Sequence, residues 1–327
     1  MSTGPLPVSG PVSTGPLPVS GPVIGLDLGG TKIDAALVGP DGSVLDRHTR
    51  PTPATEGPVA VLDALAEAAR AVDHGAHAVG VAAAGVIDPR TGMVTASTDT
   101  IHGWAGTALG AGLADRTGLP VACDNDVRAT AGPELAALDG DATLLFVAVG
   151  TGVGGAVAAG GSMLHGVAGV AGHLGHLPSP EAAGLPCTCG ASGHLEAVAS
   201  GPGIAALYER LTGRPVDRLQ TVAERAAAGD DDALRAITIG ATATGRALGG
   251  LANALGPDRV VVAGGVPRIG PLYRDTLDRS FAGELLPLLR HLRPQEPRGG
   301  ADAAVLGAAA LTATAPLHHP HDQKQNL

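Results

Sequence analysis

The chain has 327 residues, a formal net charge of −10, 50 glycines and only 2% aromatic residues. The acidic balance excludes a general nucleic-acid surface, which needs clustered Lys and Arg. No apolar run of about 18 residues and no basic-then-apolar leader occurs, and three cysteines do not make a disulfide framework, so the expectation is a cytoplasmic protein with a metal site and no membrane partner.

The length allows a large core and two lobes. Ser2–Val12 reads STGPLPVSGPV and Ser13–Val23 repeats it; this Pro/Gly/Ser stretch has no apolar periodicity, and residues 1–22 are expected to be a flexible tail. Val23–Leu28 predicts a buried strand, Gly29-Gly30 a turn, Ile33–Val38 a returning strand and Ser43–Arg50 a third. Val59–Val72 has helical spacing. Strands are expected at 78–83, at 121–124, and at 144–149 paired with 154–159 around a glycine turn. Helices are expected at 129–138, at about 233–255 and at 303–312, with a strand at 259–263. The polar stretch 316–327 reads as a second loose tail. The pattern is α/β, in two halves that each open with a hairpin around glycines.

Asp27-Leu-Gly-Gly-Thr-Lys32 puts a carboxylate at the end of a buried strand, beside a turn whose amides can approach an anion. Asp27 is placed to hold Mg²⁺, and Gly29, Gly30, Thr31 and Lys32 to face phosphate; a plain hairpin turn is the alternative. Gly150-Thr-Gly-Val-Gly-Gly155 matches GxGxxG, but a strand-like run follows instead of a helix, so the dinucleotide reading fails. Gly150, Thr151 and Gly152 read better as a second phosphate turn. Two such turns with Asp124-Asn125-Asp126 between them point to a two-lobed phosphotransferase gripping a nucleotide in a cleft. A hydroxyl attacking a phosphoryl group needs a carboxylate to take its proton; Asp126 is the candidate base and Asn125 a sugar partner. Asp124 could equally be a helix N-cap. His176, Cys187, Cys189 and His194 form the best ligand set for a closed, structural Zn²⁺ site that would anchor the loop carrying Glu196; reduced, unliganded cysteines are the alternative.

With these segments placed, the chain resembles the ROK family (repressors, open reading frames and sugar kinases), across about Val23–Ala315. The resemblance rests on DLGGTK, Asn125-Asp126, GTGVGG, the GHLGH…CTCGASGHLE segment and the run from Leu251 to Gly265. It implies the two-lobed sugar kinase/actin/Hsp70-like (ribonuclease H-like) fold with a central nucleotide and sugar cleft. The lobes would be 23–127 and 128–315, the final helix at about 303–315 returning to the first. It implies ATP-dependent phosphorylation of a hexose or N-acylhexosamine, usually at the 6-hydroxyl, with Asp126 as base. Asn125, His176 and Glu196 would touch the sugar, Gly85 would line its cleft, Gly264 and Gly265 the adenosine side, and a homodimer is implied. A repressor would carry a helix-turn-helix ahead of the DLGGT strand, where this sequence has the short tail. Two positions depart from the family: His194 stands where Cys is usual, and His173 where a sugar-contacting Glu is usual. Histidine is an adequate zinc ligand; at 173 it changes charge and hydrogen-bonding sense, so a kinase of a modified sugar or cyclitol enters as an alternative, beside a non-catalytic ROK sugar-binding sensor.

Overall fold

A computed structural model describes residues 21–298 and 300–321; the duplicated tail expected at 1–22 lies outside the described residues up to position 20. The first half contains β1 (Val23–Leu28), β2 (Lys32–Val38), β3 (Val44–Pro51), α1 (Pro58–Val72), β4 (Val79–Ala83), β5 (Val86–Asp88), β6 (Met93–Ala96), α2 (Leu109–Thr117), β7 (Val121–Asn125) and α3 (Asp126–Ala136). The second contains β8 (Leu144–Val149), β9 (Val153–Ala159), β10 (Ser162–Met163), α4 (Glu196–Ala199), α5 (Gly201–Thr212), α6 (Leu219–Ala227), α7 (Asp231–Leu255), β11 (Arg259–Ala263), α8 (Pro271–Glu284), β12 (Pro294–Gln295) and α9 (Ala303–Thr314).

The halves repeat one sheet order, β3-β2-β1-β4-β7 and β10-β9-β8-β11-β12. In each, three strands run as an antiparallel meander and the first continues into parallel partners, β1 with β4 and β4 with β7, β8 with β11 and β11 with β12. Strands β4 and β11 are buried at every position and, apart from Arg259, which pairs with Glu134, are runs of small apolar residues, because parallel strands are covered on both faces.

Small residues let α9 lie directly on the first sheet. A Cβ on Gly25 would stand 2.1 Å from the Val305 carbonyl oxygen, and one on Gly80 1.8 Å from that of Ala308. The final helix thus packs on β1 and β4. It also meets α3, where a Cβ on Gly307 would stand 2.1 Å from the Ala129 oxygen. Helix α3 in turn packs Ala131 against Phe146 of β8 and Ala129 against Ala122 of β7. The two sheets are therefore joined through the α3–α9 pair, and the lobe boundary expected after residue 127 falls within α3.

Gly80→Ala should force α9 off the sheet at a cost of about 1–3 kcal/mol, a fall in melting temperature of several degrees. Gly132→Ala, in α3 with nothing within 4 Å of the new methyl, should hold or raise it. Thermal melts of the two variants check the contrast; equal melting temperatures would refute this account of the packing.

The C-terminal stretch differs from the loose tail expected over 316–327. Ala315 to His321 docks on the outer edge of β7: Val121 and His318 exchange backbone hydrogen bonds of 2.9 and 2.7 Å. The His318 ring is buried, with Nε2 at 3.1 Å from the Pro89 carbonyl oxygen. Its socket exists because Gly92 and Gly110 lack side chains; a Cβ at either would come within 2.8 Å of the ring. Residues 322–327 lie outside the described residues.

Candidate active site

Parallel strands deliver the candidate groups to one edge. Asp27 on β1 is in register with Ala82 on β4, which is in register with Asp124 on β7, so Asp27, Gly85 and the Asn125-Asp126 pair all sit at the carboxyl ends of adjacent strands. Likewise Ala148 on β8 pairs with Ala263 on β11, bringing the Gly150–Gly152 turn beside Gly264-Gly265. Carboxyl ends of parallel strands are where α/β sheets bind ligands. Gly264, at φ 99°, can only be glycine, because a Cβ would meet the Val149 carbonyl oxygen at 2.2 Å.

Asn125 is the N-cap of α3: its Oδ1 accepts from the Val127 and Arg128 amides at 3.0 and 3.3 Å. Its Nδ2 donates to Gly85 O at 2.9 Å and to Asp126 Oδ1 at 2.8 Å. Asp124, the alternative cap, instead pairs with Arg128 and His165. Cys123 is fully buried, and burial pushes its thiol up to about 12, as a small core residue requires.

Burial raises the Asp126 carboxyl to about 6, against the lowering effect of the Val127 amide and Asn125. Asp27 also rises to about 6, through burial first, then repulsion from Asp126 and Asp34, with Lys32 opposing. Two partly buried carboxylates therefore lie near one another at the ends of β1 and β7, on either side of β4. Lys32 is not turned into this pair: its ammonium meets Asp34 at 2.5 Å and is largely exposed. Thr31 and Thr151 are exposed at their turns. Strand β9, which follows the second turn, lies beside the start of α3, since a Cβ on Gly154 would stand 2.8 Å from Val127 Cγ2.

Glu196 opens α4 and reaches two elements. Its Oε2 accepts from the Val153 amide at 2.9 Å, beside the second turn, and its Oε1 accepts from Thr188 Oγ1 at 2.7 Å. Thr188 lies between Cys187 and Cys189. The four ligand atoms of His176, Cys187, Cys189 and His194 all lie within 4.8 Å of one another. Cys187 Sγ is 3.6 Å from His176 Nδ1 and Cys189 Sγ 3.3 Å from His194 Nδ1. Zn–S and Zn–N bonds of about 2.3 and 2.0–2.1 Å give a tetrahedral N–S edge of about 3.5 Å, so these residues fit the ion. Burial holds the His176 imidazole below the ordinary value, with His173 and His194 adding repulsion and Glu196 opposing. A neutral ring is the ligating form. With Nδ1 toward Cys187, its Nε2 faces away from the four-atom cluster.

His173 is outside that cluster. Its ring stacks on His176 with centroids 6.3 Å apart, and its Nδ1 is 2.9 Å from the Val170 carbonyl oxygen. A carbonyl only accepts, so Nδ1 carries the proton and Nε2 is an acceptor in the neutral ring.

An apolar hollow of about 260 Å³ lies between α6, α7 and the start of α8, lined by residues including Ala223, Ala227, Ile237, Ile269 and Tyr273. Sequence reading assigned it nothing. It follows Gly264-Gly265 by one short turn, Val266–Arg268. Sequence reading also missed Arg128, a fully buried cation three residues after Asn125; the signal was an arginine directly after the Asp124-Asn125-Asp126 run, one residue before the helix expected at 129–138.

No helix among the described residues is long and apolar enough to cross a membrane. A family model described as the ROK family matches residues 23–315. The N-acetylmannosamine kinase of Escherichia coli (strain 55989 / EAEC) is 37% identical over 292 residues, covering 88% of this chain and 97% of that protein. The crystal structure of a ROK hexokinase from Thermus thermophilus superposes with a TM-score of 0.76 at 35% identity, over 89% of this chain and 97% of that one. A ROK family glucokinase from Streptomyces griseus, solved with glucose and AMPPNP, gives 0.72 at 31% identity, over 89% and 99%.

Proposed function

The chain belongs to the ROK family, and from that membership we infer that it is an ATP-dependent sugar kinase. We propose that the acceptor is a hexose or N-acylhexosamine of the N-acetylmannosamine, N-acetylglucosamine or glucose type, phosphorylated at its 6-hydroxyl. What supports this reading is the placement of Asp27 and Asp126 at the carboxyl ends of β1 and β7, with β9 packed on the start of α3, together with 37% identity to an N-acetylmannosamine kinase along nearly its full length.

In this reading Asp126 is the base. Its Oδ1 is held by Asn125 Nδ2 and the Val127 amide, so Oδ2 takes the proton as the sugar oxygen attacks the γ-phosphorus and ADP leaves. With a pKa near 6 it is ionised at neutral pH yet basic enough to accept that proton. Asp27 would hold Mg²⁺: two mutually repelling, partly buried carboxylates suit a divalent cation, which when bound neutralises charge on the triphosphate. Residues Gly29–Lys32 and Gly150–Gly152 would cradle the phosphates, Gly264 and Gly265 would line the adenosine side, and the apolar hollow beyond them would take the base. Asn125, Gly85, His176 Nε2, Glu196 and His173 would border the sugar. The same reading carries lobes at 23–127 and 128–315 and a cytoplasmic homodimer.

His173 should set preference among sugars differing at carbons 1 and 2. In the neutral ring its Nε2 accepts, as a glutamate oxygen would, so the hydrogen-bonding sense is kept and what distinguishes the two side chains is charge: a ligand donor gains about 1.5–3 kcal/mol from a charged acceptor against about 0.5–1.5 kcal/mol from a neutral one. His173→Glu should therefore reorder kcat/KM with zinc content unchanged. An unchanged order with lowered zinc would assign the residue to the metal. A coupled ADP-release screen over hexoses, N-acylhexosamines and cyclitols tests the function itself. Release with a hexose or N-acylhexosamine supports the reading, release with a cyclitol alone replaces it with the modified-substrate alternative, and no sugar-dependent release refutes it.

A further inference from the structure

Arg128 is fully buried, and its guanidinium ties together three segments that are far apart in sequence. Its Nε donates to Asp124 Oδ1 at 2.8 Å, and its Nη2 approaches the same oxygen at 2.7 Å. Nη2 also donates to Ile87 O on β5 at 2.9 Å. Nη1 donates to Gly169 O at 2.8 Å and to Ala171 O at 2.9 Å. The three segments are β7, the β5–β6 hairpin that begins just after Gly85, and the loop leading to His173 and His176. Each carries residues assigned above to the sugar.

The loop has little else to hold it. Gly166, Gly169 and Gly172 have positive φ, as does Ala168 at 51°, and Leu164, Val167 and Val170 are exposed. Without apolar burial, its position depends on polar anchors. Two come from Arg128, one from Thr95 Oγ1, which donates to Ala168 O at 3.0 Å, and one from the contact of His165 with Asp124. A Cβ on Gly169 would stand 2.0 Å from Ile87 O, so loop and hairpin are in backbone contact where the guanidinium clamps them. On the far side, Asp124 Oδ2 meets His165 Nε2 at 2.9 Å, and Asp124 Oδ1 accepts from the Asn125 amide at 2.7 Å. The fork therefore reaches the base-bearing turn as well.

We propose that Arg128 is the positioning residue of the sugar half of the cleft, holding the Asn125-Asp126 turn, the Gly85 hairpin and the His173–His176 loop in one arrangement without touching substrate. The proposal rests on the kinase reading. The guanidinium makes four hydrogen bonds, three of them to carbonyls on two separate segments, and its Nη2 also ion-pairs with Asp124. Lysine has the charge to satisfy Asp124, but its single ammonium cannot span both carbonyl groups and the carboxylate. The nucleotide turns at Gly29–Lys32 and Gly150–Gly152 lie outside these contacts, so the effect should fall on the sugar and not on ATP.

The test uses the full chain with Arg128→Lys. Because removing charge from one member of a buried pair can unfold a protein, a second variant changes both members, Arg128→Met with Asp124→Asn, which leaves no unpaired charge inside. Each is assayed for KM of sugar and of ATP, and hydrogen exchange is followed across residues 164–173. The expected result is a sugar KM raised about 10–100-fold, the scale for misplaced binding groups. The ATP KM should stay within about twofold, and exchange should quicken in the loop while the sheets stay protected. Unchanged sugar KM with unchanged loop exchange would overturn the proposal; so would equal rises in both KM values with exchange spread through both sheets, the mark of a general packing role. If the wild type phosphorylates no sugar, the kinase reading fails, and loop exchange alone decides the clamp: faster in the variants upholds it, unchanged refutes it.

Discussion

Asp126→Asn should lower kcat by about 10²–10⁴-fold on the true substrate while leaving sugar affinity largely intact, because the amide keeps the shape and the contact with Asn125 but cannot accept the proton. The wild-type rate should rise with pH through about 6, where burial places this carboxyl. Asp27 titrates in the same range and repels Asp126, so the rise belongs to the pair. Stability should run the other way. Both folded-state pKa values lie above the ordinary value of 3.8, so between about pH 4 and 6 the folded state binds more protons than the unfolded one. Folding is then favoured on the acid side of that window and loses this contribution as pH rises through 6. The asparagine variant, with one carboxylate fewer, should therefore melt higher than wild type at pH 7.5 in the absence of magnesium and nucleotide. Retention of half the wild-type kcat would show that another group is the base, and a lower melting temperature would contradict the assigned burden of the buried pair.

Zinc removal should have the second large effect. The ligand atoms of His176, Cys187, Cys189 and His194 are gathered within 4.8 Å on a loop built from tight turns, with Cys187 and Ala191 joined by a backbone bond of 2.8 Å and Gly190 and Gly193 at positive φ. Leu177, Ala182 and Leu185 tie part of this loop to the core, but Thr188 to Ser192 are exposed, and a structural ion contributes directly to folding of that turn. Purified protein should hold about one zinc per chain, and Cys187→Ser or Cys189→Ser should lower both metal content and melting temperature. Activity should fall with them, since Thr188 between the two cysteines holds Glu196, whose other oxygen holds the Val153 amide at the second turn. Fully folded, active protein containing no zinc by metal analysis would overturn the site.

The glycine turns and their flanking strands were legible because each reads locally. Val23–Leu28, Leu144–Val149 and Arg259–Ala263 are mostly apolar runs, interrupted by Asp27 and Arg259, each followed by glycine, and the structure has strands at those bounds. Gathering the metal ligands needed only short-range spacing within residues 176–194. Two kinds of feature were not read. Helix α8 has Tyr273, Leu277 and Phe281 buried at spacing four, a signal that was present but lay between two recognised motifs; α5 and α6 were passed over in the same way. Long-range partnership was invisible in a different sense. Nothing near Arg128 in sequence announces Ile87 or Gly169, and the polar, histidine-rich end of the chain conceals that Gly92 and Gly110 form a socket for His318. Spacing reports local geometry; which carbonyls a buried guanidinium finds depends on the assembled fold.

The central claim, that this cleft transfers phosphate from ATP to a sugar hydroxyl through Asp126, is tested most directly by the product. Wild type and Asp126→Asn are incubated with ATP, magnesium and N-acetylmannosamine, N-acetylglucosamine or glucose, and the mixtures are read by phosphorus NMR. The account predicts ADP and one phosphomonoester in equal amounts, with the new phosphorus coupled to the protons on carbon 6, formed by wild type and nearly absent with the variant. ADP release that is independent of sugar, or a phosphorylated sugar formed equally well by the variant, would contradict it.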